Sequence, residues 1–258
     1  MRRDAPVVVY FHGAPTSRLD LVWAHDQIAS QGVRVVSPDR PGYGGSSPQT
    51  GRTLTDHPAE VAAFADHLGV DHFAVIGVSG GGPHAMACAA LSPSRVRGTA
   101  IVAGVTNFAW PGAPNGFDPA EAEIMAQPDE ETAVSWCEDR YGIDGRRFLE
   151  GDLPAVEAAA LGDDPTAINA SVTEALRQGI AGYARDVWIM GRHWPFDPTN
   201  IAPPLAVFHG DADAIVPLSH GKHTASLVPR AHLTVWSGVT HIGATQRTPD
   251  AIAAVVGP

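Results

Sequence analysis

Several features that mark specialised protein classes are scarce in this sequence. It has two cysteines in 258 residues, Cys88 and Cys137, and no CxxC pair. One bridge is the most they could form, so a disulfide scaffold is excluded; reduced thiols in a cytoplasmic protein are expected. No apolar run approaches the roughly 20 residues needed to cross a bilayer, so no membrane partner is expected. The opening stretch MRRDAPVVVYFHG carries two arginines, but its apolar run is short and is broken by Asp4 and Pro6. It does not read as a signal peptide. Basic charge is low, with 17 Lys and Arg against 28 Asp and Glu, a formal net charge of −11. Such a balance repels nucleic acid and anionic lipid and chiefly serves solubility. No tract is repetitive, so the 27 glycines and 22 prolines signal tight turns, not disorder. His220 and His223 are three apart, but no third ligand accompanies them. No metal or other cofactor is expected, and both histidines are expected on an exposed helix face.

What is present is an alternation of strands and helices. Apolar, β-branched runs at 7–12, 33–37, 72–76, 96–102, 205–209 and 232–236 read as strands. Helices are predicted over 19–30, over the face marked by Leu54, Val61, Phe64, Ala65 and Leu68, over the stretch carrying His84, Met86 and Cys88, and over 248–256. Alternating units of this kind form parallel βαβ crossovers, so the fold class is α/β: a doubly wound, mostly parallel sheet of about six to eight strands. Residues 107–200 break the rhythm. They contain no convincing strand and read as short helices joined by Pro and Gly. The expected organisation is a core of 1–106 and 201–258 with a helical cap inserted at 107–200.

Chemistry concentrates where strands end. G-x-S-x-G occurs as Gly77-Val78-Ser79-Gly80-Gly81, between a strand and a helix. A nucleophilic serine needs such a sharp turn, so that its hydroxyl projects from the strand end while flanking glycines let strand and helix approach. Alone, the motif is as easily a Gly-rich turn. Its position between strand and helix favours the nucleophile. The amide of Gly80 would lie at the helix start, where an oxyanion could form. A second donor is expected from His12-Gly13-Ala14-Pro15 after the first strand. Ala14 has a free N–H and Pro15 has none, so Ala14 is assigned.

A serine hydroxyl also needs a base, and the base needs an acid to hold its tautomer. Among twelve histidines, His241 is the only one beyond the last strand, where the order Ser, Asp or Glu, His requires the base. The fifth strand runs into HGDADAIVP, which offers Asp211 and Asp213. Asp213 is chosen and Asp211 is the fallback; the other aspartate is expected to organise the loop through backbone amides.

These segments together, HGAPTSR, DRPGYGGSS, GVSGGGPHAMA, GDADAIVP and the late His241, resemble the α/β-hydrolase superfamily. They are most similar to its bacterial serine esterases, peroxidase-like hydrolases and C–C bond hydrolases with a helical cap. The resemblance implies Ser79 as nucleophile, His241 as base and Asp213 as acid, the last favoured by the pattern G-x-x-D-x-x-x-P at Gly210, Asp213 and Pro217. It also implies Ala14 and Gly80 as oxyanion donors, a cis peptide at Ala14-Pro15, and a structural role for Asp39 and Arg40. Serine at the nucleophile position argues against haloalkane dehalogenase and epoxide hydrolase chemistry. The family commonly carries an antiparallel strand pair ahead of the first strand found here. Either the sheet is trimmed, leaving an edge for pairing in a homodimer, or the natural start lies upstream of Met1.

The expected function is hydrolysis of a carboxylic ester, or a related acyl bond, of a small and moderately apolar molecule through an acyl-enzyme. Aromatics of the insert, Trp110, Phe117, Trp136, Trp188, Trp194 and Phe196, are candidates to line the substrate pocket. Alternatives are a C–C bond or amide hydrolase, or an acyl-transfer or cyclisation enzyme of secondary metabolism. A ligand-binding scaffold without catalysis is a further alternative, which the intact Ser79, His241 and Asp213 argue against. The expected partner is a small-molecule substrate, and the chain is expected as a monomer or homodimer.

Overall fold

The computed structural model describes residues 5–151, 153–162, 165–202 and 204–256; Met1–Asp4, with its two arginines, lies outside the described residues. All six predicted strands form: β1 (Val7–Phe11), β2 (Arg34–Val36), β3 (Phe73–Val78), β4 (Val96–Val102), β5 (Leu205–Gly210) and β6 (His232–Trp236). They make one sheet in the order β2-β1-β3-β4-β5-β6, with every neighbouring pair parallel. β3 runs two residues past its predicted end, because Gly77 pairs with Phe11 and Ile101 instead of ending the strand. β2 and β6 are the sheet edges.

The helices are α1 (His25–Ser30), α2 (His57–His67), α3 (Gly82–Leu91), α4 (Pro119–Met125), α5 (Glu130–Tyr141), α6 (Arg146–Leu149), α7 (Ala155–Leu161), α8 (Thr166–Ala175), α9 (Ala181–Met190), α10 (Leu218–Ser226), α11 (His241–Thr245) and α12 (Thr248–Val256). α1 is shorter than the predicted 19–30, since Leu19–Ala24 is taken up by tight turns that place Asp20 to accept a hydrogen bond from Tyr10 Oη at 2.6 Å. α2 starts at His57 with Pro58 in its first turn, where a missing N–H leaves no gap.

Side-chain alternation explains why the sheet is buried on both faces. Val7, Val9, Phe11, Phe73 and Val75 point to one side and pack with α2 and α3. Val8, Tyr10, Ala74, Ile76 and Val78 point to the other and pack with Ile28 of α1 and Ala251 and Ile252 of α12. Over the C-terminal strand ends a third apolar cluster forms. It joins Ile124, Met125, Ala133, Cys137, Tyr183, Val187 and Met190 from the inserted helices to Tyr43, Val105 and Val216 from loops of the sheet. Both cysteines are free and buried, and burial pushes the Cys137 thiol up to about 12.

A buried charge network joins the insert to the sheet. Asp186 of α9 pairs with Arg40 at 2.8 Å, with Arg52, and with His84 Nε2 at 3.1 Å, and accepts from Tyr43 Oη at 3.2 Å. Burial pushes the His84 imidazole down to about 3. Burial also works against the Asp186 carboxylate, but Arg40, His84 and Arg52 outweigh it and hold its pKa well below the usual range.

Trp194 departs from its expected place. It is 1% exposed, stacks on Phe196 with ring centroids 5.1 Å apart, and belongs to the core against α2 and α3. It therefore fills the main core, not a substrate pocket. Trp194→Ala is expected to cost about 3–5 kcal/mol of stability, read from chemical unfolding, with the substrate preference of the folded enzyme unchanged.

Candidate active site

Three strand ends converge on one point. Ser79 directly follows β3, and its φ of 52° is in the left-handed region, a costly conformation for a residue with a Cβ. The glycines around it are required by packing. A Cβ on Gly77 would collide with the Gly81 carbonyl, and one on Gly81 would collide with the Phe11 carbonyl. The Val105 N–H donates to the Ser79 carbonyl at 3.1 Å, which ties the turn to the loop after β4.

The loops after β5 and β6 bring Asp213 and His241 to this turn. The Ser79 hydroxyl donates to His241 Nε2 at 3.0 Å, and His241 Nδ1–H donates to Asp213 Oδ2 at 2.8 Å. Facing a carboxylate, Nδ1 carries the proton, so Nε2 is free to accept one. Asp213 is itself held: Oδ1 accepts the Ile215 and Val216 amides at 3.0 and 2.8 Å, and Oδ2 lies 3.3 Å from His209 Nε2. Burial works against its charge, but His241 and the hydrogen bonds from His209 and His241 hold its carboxyl below the usual range. For His241 burial disfavours the cation, yet Asp213, then Glu157 and Glu121, raise its pKa above the ordinary value. Asp211 stands apart and accepts the Gly238 amide at 2.6 Å.

Ala14 and Gly80 are side by side, since a Cβ on Gly80 would meet the Ala14 methyl at 2.9 Å and the Met190 sulfur at 3.2 Å. The Ala14-Pro15 peptide is cis. Arg40 holds the Ala14 loop from below, donating to the carbonyls of His12 and Gly13. Asp39 accepts the amides of Arg18 and Gly45 at 2.7 and 3.0 Å and pairs with the Arg18 guanidinium. An arrangement of this kind can pass a proton from the Ser79 hydroxyl to His241 Nε2, with the Ala14 and Gly80 backbone close by.

The remaining candidates fall in different places. Trp110 lies flat on His223 at 4.3 Å, and Trp136 meets Tyr141 edge-on at 6.1 Å. Trp188 donates its Nε1–H to the Gln127 carbonyl at 3.0 Å. Phe117 stacks on His220 at 5.2 Å. His220 and His223 are not on an exposed face. His220 is 0% exposed, accepts the Thr106 amide at 3.2 Å through Nδ1 and donates to the Ala113 carbonyl at 2.8 Å. Burial pushes its imidazole down to about 4. The aromatic rings of the insert cover this face of α10, a long-range contact that spacing does not signal. Among the described residues, no group of three or more His, Cys, Asp or Glu is placed to hold a metal ion, and no helix is long and apolar enough to cross a membrane.

Sequence reasoning did not find Met190, Glu121, Glu157 or Tyr183. Glu121 of α4 accepts from Tyr183 Oη at 3.1 Å, and burial pushes its carboxyl up to about 8. It is therefore protonated at pH 7, and Glu121→Gln is expected to leave activity there close to wild type. Its raised folded-state pKa means the wild type loses stability as pH rises from about 4.5 to about 8. Glu121→Gln is expected to be more stable than wild type at pH 8 by a few kcal/mol, with the margin vanishing near pH 4, in urea unfolding at both pH values.

The sequence model of the alpha/beta hydrolase fold matches residues 6–244, and the chain belongs to that family. A bifunctional esterase/perhydrolase of Acinetobacter calcoaceticus is 26% identical over 248 residues, covering 93% of this chain and 86% of that protein. The dihydrolipoyllysine-residue acetyltransferase component of an acetoin cleaving system from Cupriavidus necator is 26% identical over 249 residues. That match covers 95% of this chain, which spans 61% of the relative's length. Among solved structures, a thermophilic esterase from Thermogutta terrifontis superposes with a TM-score of 0.71 at 21% identity, covering 97% of this chain and 88% of that one. At that identity the likeness speaks for the fold alone. With the family and its homologues, the chain is an enzyme of the α/β-hydrolase family.

Proposed function

We propose that this enzyme is a serine hydrolase that cleaves a carboxylic ester, or a related acyl bond, of a small and moderately apolar substrate through an acyl-enzyme. The observation that carries the reading is the unbroken hydrogen-bond chain from Ser79 through His241 to Asp213. His241 Nε2 takes the Ser79 proton as Oγ attacks the carbonyl carbon. The oxyanion is held by the Ala14 and Gly80 amides, and Asp213 stabilises the imidazolium. His241 then protonates the leaving group, and water repeats the sequence to release the acid. The apolar side chains around Met190 favour a substrate with hydrocarbon next to the carbonyl. The esterase named among the relatives supports the same bond class. In this reading residues 107–200 act as the cap over the site, the enzyme works in the cytoplasm, and no cofactor takes part.

The test is labelling with a fluorophosphonate, followed by a chain-length series of p-nitrophenyl esters. Adduct on the Ser79 peptide and a kcat/KM maximum within the series support the reading. An enzyme that refuses the probe, or that turns over only amides or diketones, overturns the ester assignment.

A further inference from the structure

Glu157 sits on α7, within the insert, and is fully buried, with no basic side chain paired to it among the described residues. Among the described residues its hydrogen bonds are three, all from backbone N–H donors. Oε1 accepts from Ala214 at 3.0 Å and from His241 at 2.9 Å, and Oε2 accepts from Ile242 at 2.9 Å. Three donors and no acceptor is the pattern that an ionised carboxylate satisfies. The donors belong to two different loops. Ala214 follows Asp213 in the loop after β5, whereas His241 and Ile242 follow β6. One carboxylate thus bridges the chain segments that carry the acid and the base. A second tether runs alongside, as Gln246 Nε2 donates to the Ala160 carbonyl at 3.1 Å, holding α11 to α7.

We propose that Glu157 is a positioning residue for the reaction, coupling the Asp213 loop to the His241 loop so that the imidazole stays in line with Ser79. The proposal rests on the reading of Ser79, Asp213 and His241 given above. It places a determinant of catalysis in the insert, 84 residues before the base it holds. The two loops also touch directly, the Ala212 amide donating to the Val239 carbonyl at 3.1 Å and the Gly238 amide to Asp211, but the His241 and Ile242 amides rest on Glu157, and its loss leaves these two buried donors without their acceptor. Sub-ångström drift of the base then disturbs both proton transfers, since alignment of reacting groups carries much of the rate.

Charge supplies a readout that packing alone would not move. Three carboxyl groups from different elements face His241: Asp213 from the loop after β5, Glu157 from α7 and Glu121 from α4; Asp213 and Glu157 favour the imidazolium, whereas Glu121, pushed up to about 8 by burial, is neutral over the acidic limb. Replacing Glu157 with a neutral isostere removes one of them. The base then loses its proton at lower pH, and the acidic limb of the kcat profile moves toward lower pH.

The experiment uses the whole enzyme with p-nitrophenyl butyrate. Glu157→Gln is expected to lower kcat about tenfold to a hundredfold with KM within about twofold, and to shift the acidic limb downward. Glu157→Asp keeps the charge, and its limb is expected at the wild-type position with kcat partly restored. If Glu157→Gln yields little folded protein, the rate constant of fluorophosphonate labelling reads the same limb independently of the folded fraction. A limb and a kcat equal to wild type overturn the proposal, as does a loss confined to folding yield with an unmoved limb. Ser79→Ala in the same assay separates the two levels. With Ser79→Ala inactive and Glu157→Gln unshifted, only the positioning role falls. With Ser79→Ala still active, the site reading falls and the positioning role with it.

Discussion

Ser79→Ala is expected to lower kcat on a p-nitrophenyl ester by about 10⁴- to 10⁶-fold, with the fold and the thermal midpoint unchanged. The size follows from the geometry. The Ser79 hydroxyl is the only group donating to His241 Nε2 at hydrogen-bond distance among the described contacts. Without it the imidazole has no oxygen to activate, and in the proposed mechanism only oxyanion binding by the Ala14 and Gly80 amides is left. His241→Ala is expected to cost nearly as much, and the double variant little more than either single one, because the groups act as a unit. The rate of the wild type should fall as pH drops through a pKa raised above the ordinary histidine value, since the carboxylates around His241 favour its inactive, protonated form. Steady-state kinetics between pH 5 and 9 check both points. Residual turnover within tenfold of wild type in Ser79→Ala would rule Ser79 out as the nucleophile.

The second large effect concerns stability. Asp186→Ala is expected to lower the thermal midpoint by about 10 °C, corresponding to about 3–5 kcal/mol. Arg40 and Arg52 are 0% and 2% exposed at their side chains, and both pair with this single carboxylate. Deleting it leaves two buried guanidinium groups without a counter-charge, which costs far more than an exposed ion pair is worth. Activity should fall as well, because Arg40 also holds the His12 and Gly13 carbonyls beneath the Ala14 amide. Differential scanning calorimetry with ester kinetics on the same preparation reads both. A midpoint shift below about 2 °C would mean that the network contributes little to stability.

The residues explain what could be read in advance. All six strands were legible because each is an apolar run between Gly and Pro signals, and their alternation with helices admits few topologies. Ser79, His241 and Asp213 were candidates because each follows a strand, and a strand end is a fixed place in a parallel sheet. Trp194 misled because an aromatic in the insert carries no mark of which side it packs on. His220 misled because a helix of mixed polarity reads as exposed until Phe117 and Thr106 are seen to cover it. Glu157 had no signal at all: one glutamate in an Ala-rich helix looks like any solvated charge.

By itself the sequence determined the α/β class, the six strands that form and their succession along the chain, and the serine and histidine that meet at their ends. Those follow from local patterns of polarity and from turn chemistry, which act over a few residues. Tertiary structure alone decided which aspartate reaches His241, which tryptophan is core, and what the buried carboxylates Asp186 and Glu157 hold. These depend on contacts between residues dozens to more than a hundred positions apart. The burial of a charge, and therefore its effect, exists only once those distant segments have closed around it.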